Sequence, residues 1–324
     1  MNILIAGGTS FVGRAIAWSA WRAGHRVSVI NRGQTPHDLP DGIERLIGDR
    51  QRDLSALTAR TFDATIDTLA YRPSDVEKLA EALGARGGHH LQISSVSAYA
   101  DPPAPGLIED DAVLRTLGDI DPEGPINNES YGPLKAACEL RASELFGESL
   151  SIVRPTFVIG AHDATLRFPY WVERARRGGA IAVPGPGTNA MQWIDARDLA
   201  QFVVGLVERS VLGAFHVAGP SPSSQYLTMV QLVVDQLAPP DTTVHEVAPE
   251  RIREAHLSEK FPLWTGPQSE NILAVDNARA LHHGLTLRPL SQSVDEVVAW
   301  WADRPSPDHW LSASDEAQVL TAQH

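Results

Sequence analysis

Short apolar runs alternate with amphipathic stretches through the first half of the chain, and the two differ in period. Near-continuous aliphatic and β-branched runs at Asn2–Ala6, Arg26–Ile30, Arg45–Ile47, Ala64–Thr68, His90–Ile93 and Ser151–Arg154 predict strands. Between them, Phe11–Ala23, Pro73–Leu83 and Tyr131–Phe146 place apolar residues at helical spacing. Strands that are apolar throughout have both faces covered, so the alternation predicts a parallel sheet between two helical layers. Right-handed crossovers make it doubly wound. The second half is less regular. It predicts a helix over Ala196–Glu208, a strand over Ala214–Val217, an amphipathic helix at Leu227–Gln236 and a short surface helix at Ser314–Leu320. Pro- and Gly-rich segments at 184–187 and 219–222 separate these elements. The expected fold is α/β, a doubly wound parallel sheet with a second, smaller substrate-binding lobe. Residues 1–160 with 193–217 are assigned to the sheet domain, and 161–192 with 218–324 to the lobe.

The first strand runs directly into Gly7-Gly8-Thr9-Ser10-Phe11-Val12-Gly13, which opens the first helix. Gly7 permits a tight turn, the small Ser10 keeps the approach to a pyrophosphate open, and Gly13 lets helix and strand pack closely. Backbone donors from Thr9 to Val12 then meet the phosphates at a helix N-terminus. In this strand–turn–helix context the pattern predicts a dinucleotide-binding (Rossmann) domain. The second strand ends in Asn31-Arg32-Gly33, with no carboxylate for a ribose 2′-hydroxyl. Arg32 can bind a 2′-phosphate through two hydrogen bonds, which favours NADP and leaves NAD possible. Asp49, after the third strand, is a candidate for the adenine edge.

Tyr131 and Lys135 stand four residues apart, on one face of a helix. An ammonium beside a phenol favours the phenolate, so such a tyrosine can give a proton to a carbonyl oxygen or take one from an alcohol. Lys135 is also placed to reach the nicotinamide ribose. The fifth strand ends in a hydroxyl cluster, Ser94-Ser95-Val96-Ser97, at the edge where open α/β sheets bind ligands. Ser95 is the candidate for binding and polarising the substrate oxygen. Ser97 is a candidate substrate contact. His162 and Asp163, after the sixth strand, are placed to line the mouth of the site.

Composition narrows the partners. The net charge of −13 over 324 residues argues against general nucleic-acid binding, which needs Lys and Arg to neutralise phosphates. No run approaches the ~18 apolar residues of a membrane span. The first residues show neither a basic leader nor a cleavage site. Cys138 is the single cysteine, read as a small buried hydrophobe in a reducing, cytoplasmic setting. No His, Asp or Glu cluster has metal-ligand spacing, so no metal site is expected.

With these residues in this order, the chain resembles the short-chain dehydrogenase/reductase superfamily, in its extended or atypical-extended branch, the NAD-dependent epimerase/dehydratases. The resemblance runs over nearly the whole chain, through Gly7–Gly13, Asn31-Arg32-Gly33, Asp49, Ser94–Tyr99, Tyr131–Lys135, Arg154–Gly160 and Trp193–Ala200. It implies Ser95, Tyr131 and Lys135 as catalytic residues, with backbone at Leu69-Ala70 and Pro155–Val158 around the nicotinamide. A homodimer through helices corresponding to Pro73–Leu83 and Tyr131–Phe146 is the family expectation. Two departures matter. Ser10 replaces the usual third glycine. Met191 stands where sugar-nucleotide members commonly carry an arginine for the substrate diphosphate, leaving the neighbouring Gln192 and Arg167 as candidate substrate contacts. Three functions follow: an NADP-dependent oxidoreductase of a small carbonyl or alcohol, an epimerase with retained NAD, or a non-catalytic dinucleotide- or RNA-binding module.

Overall fold

The computed structural model describes residues 1–268, 270–302 and 304–321. The first half runs β1 (Asn2–Ala6), α1 (Phe11–Arg22), β2 (Arg26–Asn31), β3 (Glu44–Ile47), β4 (Ala64–Asp67), α2 (Pro73–Leu83), β5 (His89–Ile93), α3 (Tyr131–Phe146) and β6 (Leu150–Pro155). The second half runs β7 (Phe157–Ile159), α4 (Arg167–Arg177), β8 (Ala180–Pro184), β9 (Ala190–Asp195), α5 (Ala196–Glu208), β10 (Gly213–Val217), β11 (Gly219–Gln225) and α6 (Tyr226–Leu237). It ends with β12 (Thr243–Val247), α7 (Pro249–Glu254), α8 (Ala278–His282), α9 (Leu290–Trp301) and α10 (Ala313–Leu320).

Seven parallel strands form the main sheet in the order β10-β6-β5-β4-β1-β2-β3. The order reverses beside β1: one path leads through β2 to β3, the other through β4 outward to β10. Such a switch point opens a crevice beyond the carboxyl ends of β1 and β4, and crossover packing on both faces makes the fold doubly wound. Ile3, Ile5, Val27, Val29, Leu91 and Ile93 point to the face covered by α1 and α5. On the opposite face Leu4, Ala6 and Ile30 pack against Leu79 and Leu83 of α2. Each fully buried aliphatic side chain of this kind contributes roughly 1.5–3 kcal/mol relative to exposure.

Beyond the main sheet lie a three-stranded sheet, β11-β9-β7, and a parallel pair, β12-β8. The elements read from the sequence above do not include them. β7 is three residues long, and β11 reads Gly-Pro-Ser-Pro-Ser-Ser-Gln, without an apolar position. A strand of that composition is held by pairing to β9 rather than by its own preference. Helices α4, α6 and α9 pack on one another around Phe168, Tyr170, Trp171, Tyr226 and Trp301. Tyr170 and Trp171, each 1% exposed, belong to this core and not to a pocket wall. The tail helix α10 is anchored rather than lying loose on the surface. Glu316 on it is buried, accepts from Arg174 Nε at 2.8 Å and from Ala182 N at 2.9 Å, and so ties α10 to α4 and β8.

Cys138 is fully buried, and burial pushes its thiol up to about 12, far from a reactive thiolate. Nearby, His90 on β5 is 1% exposed and stacks on Phe146 with ring centroids 3.8 Å apart. Neither ring nitrogen has a hydrogen-bond partner among the described residues. Burial pushes the imidazole down to about 4, against about 6.5 in an unfolded chain. A depressed folded value makes its contribution complete above about pH 6.5 and progressively lost as pH falls through about 4. The loss amounts to about 3 kcal/mol. Denaturation midpoints should therefore drop between about pH 7.5 and about pH 5, and a His90→Leu variant should drop less. An equal drop in both proteins would remove His90 as the cause.

Candidate active site

The glycine turn is built as its sequence demands. Gly7 and Gly8 have φ of +108° and +85°, a left-handed region that side chains rarely adopt. A Cβ on Gly13 would lie 2.6 Å from the Gly8 backbone nitrogen, so only glycine lets α1 start this close to β1. Gly7, Thr9, Ser10, Asn31, Arg32 and Asp49 line one cavity of about 410 Å³ at the switch point. Asn31 Oδ1 accepts from Gly33 N at 2.8 Å, and its Nδ2 is buried without a partner. Arg32 is exposed, with no hydrogen-bond or ion-pair partner among the described residues. Asp49 accepts from Gln51 N at 3.0 Å, holding the turn that forms the cavity's far side.

A second cavity, of about 690 Å³, adjoins the first. Ser10, Phe11, Val12, Gly13, Leu69, Ser95, Ser97, Tyr131, Lys135, Pro155, Val158 and Arg167 all line it. Helix α3 reaches the strand-end serines because residue 132 is glycine: a side chain there would collide with the Ser97 carbonyl. Pro133 sits in the first turn, where a missing N–H costs nothing. Ser95 Oγ accepts from Ser97 N at 3.1 Å, which fixes the hydroxyl at the mouth of β5. The Tyr131 phenol has no hydrogen-bond partner among the described residues. Lys135 is 3% exposed, and its ammonium donates to the Ala70 and Ile93 carbonyls at 2.8 and 3.0 Å. It lies 5.9 Å from the Tyr131 ring centroid. Ser94 Oγ and Thr156 Oγ1 are buried without partners beside the same cavity.

Two expected contacts move elsewhere. Gln192 is 0% exposed, and its amide is fully used, donating to the Pro220 and Val275 carbonyls and accepting from Val275 N. It ties β9 to β11 and to the loop at Val275, and it does not line the cleft. Ala70 does not line the cavity either. Its carbonyl is taken by Lys135 and its side chain joins the core under α2 and α3. Of the pair after the sixth strand, Asp163 lines the cleft and accepts from Thr165 N at 2.9 Å in the turn before α4. His162 instead lines a separate groove along α1, its ring tilted 39° to that of Trp300 with centroids 5.2 Å apart. The Arg167 guanidinium donates to Thr165 Oγ1 at 2.9 Å and lies 5.6 Å over Phe157, without a carboxylate partner among the described residues, while the backbone N–H of Arg167 donates to Asp163 Oδ2 at 3.3 Å.

The sequence holds no advance signal for three further lining residues, Tyr71, Thr265 and Glu270. Burial raises the Glu270 carboxyl, Asp101 raises it further, and Arg115 opposes them. These residues come from loops whose path depends on packing. Beneath the first cavity, Arg50 holds the fully buried Asp67 at 2.8 and 2.7 Å, and Asp67 also accepts from Leu69 N at 2.9 Å. That pair fixes the strand end on which both cavities are built.

A nucleotide fits this architecture on three counts: the glycine cradle, the unpartnered Asn31 amide, and the unpartnered Ser94 and Thr156 hydroxyls along the adjoining cleft. With Ser95, Tyr131 and Lys135 lining the adjoining cavity, fold and cleft are those of a Rossmann dinucleotide-binding domain. The chain belongs to the NAD dependent epimerase/dehydratase family, whose model matches residues 3–218.

Among curated proteins, it is 26% identical over 236 residues to the chloroplast stem-loop binding protein of 41 kDa b of Arabidopsis thaliana. That match covers 67% of this chain and 58% of the relative. It is 28% identical over 224 residues to 2-alkyl-3-oxoalkanoate reductase of Stenotrophomonas maltophilia, covering 63% of this chain and 64% of the relative. The chain thus spans less than two thirds of the length of both. Among solved structures, the UDP-N-acetylglucosamine 4-epimerase of Bacillus cereus superposes with a TM-score of 0.69 at 15% identity, over 96% of this chain and 99% of that one. The dTDP-glucose 4,6-dehydratase of Bacillus anthracis, in complex with NAD, gives 0.68 at 13% identity, over 96% and 98%. These likenesses show a shared fold. No helix among the described residues is long and apolar enough to cross a membrane.

Proposed function

We propose that this protein is an NADP-dependent oxidoreductase interconverting a ketone and an alcohol on a small metabolite. The observation that carries this reading is the meeting of Ser95, Tyr131 and Lys135 in one cavity continuous with a nucleotide cradle whose free cation is Arg32. NADPH, when bound, supplies the hydride that reduces the carbonyl carbon. Ser95 Oγ donates a hydrogen bond to the carbonyl oxygen and orients it. As negative charge gathers on that oxygen, the Tyr131 phenol transfers its proton there, completing the alcohol. The Lys135 ammonium stabilises the phenolate left behind until solvent returns the proton. The oxidative direction runs the same proton path in reverse.

Arg167 offers the substrate an anion contact at the cavity's outer wall. The family resemblance speaks against a nucleotide sugar: Met191 stands where sugar-nucleotide members commonly carry an arginine for the substrate diphosphate. The similarity to an oxoalkanoate reductase supports the same direction. Epimerisation with retained NAD is the second reading, favoured by the neighbours named for that reaction.

Fluorescence titration with NADPH and NADH separates the two. The native protein should bind NADPH more tightly. Arg32→Ala should weaken NADPH by about tenfold to a hundredfold, the cost of a charge-assisted hydrogen bond, while leaving NADH unchanged. Tight NADH binding indifferent to Arg32 would overturn the NADP reading and point to the epimerase.

A further inference from the structure

Ser10, Thr68, Leu69 and Tyr71 line both cavities and therefore form the neck between them. Tyr71 is the large one, 37% exposed, and its backbone is held from below. Buried Asp75 accepts from Tyr71 N at 3.1 Å and from Arg72 N at 2.9 Å, so the start of α2 sets where the ring stands. The ring centroid lies 4.7 Å from Lys135 Nζ, closer than the Tyr131 ring. An ammonium has three donors, and two of those on Lys135 are committed to the Ala70 and Ile93 carbonyls. Of the two aromatic rings beside the ammonium, that of Tyr71 is the nearer.

We infer that Tyr71 is a positioning residue: its ring holds the Lys135 ammonium at the neck through a cation–π contact, and walls the path of a dinucleotide between its two half-sites. The inference rests on the nucleotide reading of the two cavities only for its second part. For its first part the ring does two things. It compensates an ammonium removed from water, and it shields that ammonium from solvent in the neck. Phenylalanine would keep both, because the π-face and not the hydroxyl makes the contact. Leucine would keep the bulk but not the π-face, and alanine would remove both.

Lysine labelling tests this without substrate or nucleotide. The chain has three lysines, Lys78, Lys135 and Lys260, so brief acylation with an N-hydroxysuccinimide ester followed by peptide mass spectrometry reads each separately. Lys78 and Lys260 serve as internal references. The labelling rate of Lys135 relative to these should rise about tenfold or more in Tyr71→Ala, rise less in Tyr71→Leu, and stay at the native value in Tyr71→Phe. Unchanged labelling in both Ala and Leu variants, with native circular dichroism, would overturn the inference. A Tyr71→Phe variant as reactive as Tyr71→Ala would overturn the cation–π assignment. If Tyr71→Ala does not fold, the comparison of Leu with Phe decides. NADPH titration of the same variants should show binding weakened in Ala and retained in Phe. Faster labelling of Lys135 with no NADPH binding by any variant, native included, would leave the ammonium contact standing and sink the NADP reading alone.

Discussion

Replacing Tyr131 with phenylalanine should lower turnover about 10²- to 10⁴-fold while leaving NADPH affinity within about twofold of native. The change removes one oxygen, the proposed proton donor, from a ring whose position is set by α3. Glycine at position 132 lets that helix approach Ser97, and Lys135 is pinned to the Ala70 and Ile93 carbonyls. Neither constraint involves the phenol. Steady-state rates with a carbonyl screen, beside a fluorescence titration of NADPH, read the two quantities separately. A Tyr131→Phe enzyme retaining a tenth or more of native turnover would move proton transfer elsewhere in the cleft. Glu270, whose carboxyl is raised by burial and by Asp101, would be the next group to test.

The second large effect falls on stability. Asp67→Asn should cost about 3–5 kcal/mol, because it leaves the Arg50 guanidinium without its carboxylate in a buried setting. Burial pushes the Asp67 carboxyl up, but the Arg50 charge and hydrogen bonds override it and hold the folded value below the usual range. The sign follows from linkage. The pair's contribution is complete above the unfolded value of about 4 and is lost as pH falls through the lower folded value. Denaturant midpoints of the native protein should therefore decline below about pH 4 from this source, a slope absent in Asp67→Asn. Replacing both partners with apolar residues, Asp67→Leu with Arg50→Met, should cost less than Asp67→Asn alone, since it buries no unpaired charge. A single substitution costing under about 1 kcal/mol would mean that the pair is not desolvated in solution. Nucleotide affinity should fall with the single change as well, because Asp67 also orients Leu69 at the neck.

The parts of this protein legible in its sequence are those written in contiguous stretches. The strand–turn–helix from Asn2 to Arg22, the parallel strands up to Pro155, and the Tyr131–Lys135 pair each depend on a local period or on a backbone conformation that glycine alone adopts. Ser95 was legible for the same reason, as a hydroxyl at the carboxyl end of a strand. Cys138 followed from composition and helical position. The tertiary structure decided what distant segments do to one another. It sent Gln192 into hydrogen bonds with β11 and the loop at Val275 rather than into the cleft, and buried Glu316 against Arg174 across 142 positions. It also brought Tyr71 over Lys135 and Glu270 into the cleft. Propensity and period act over a turn or a strand, whereas these contacts depend on register, closure and charge pairing between elements far apart in the chain. A strand such as β11, with no apolar position of its own, exists only because β9 supplies the partner for its backbone.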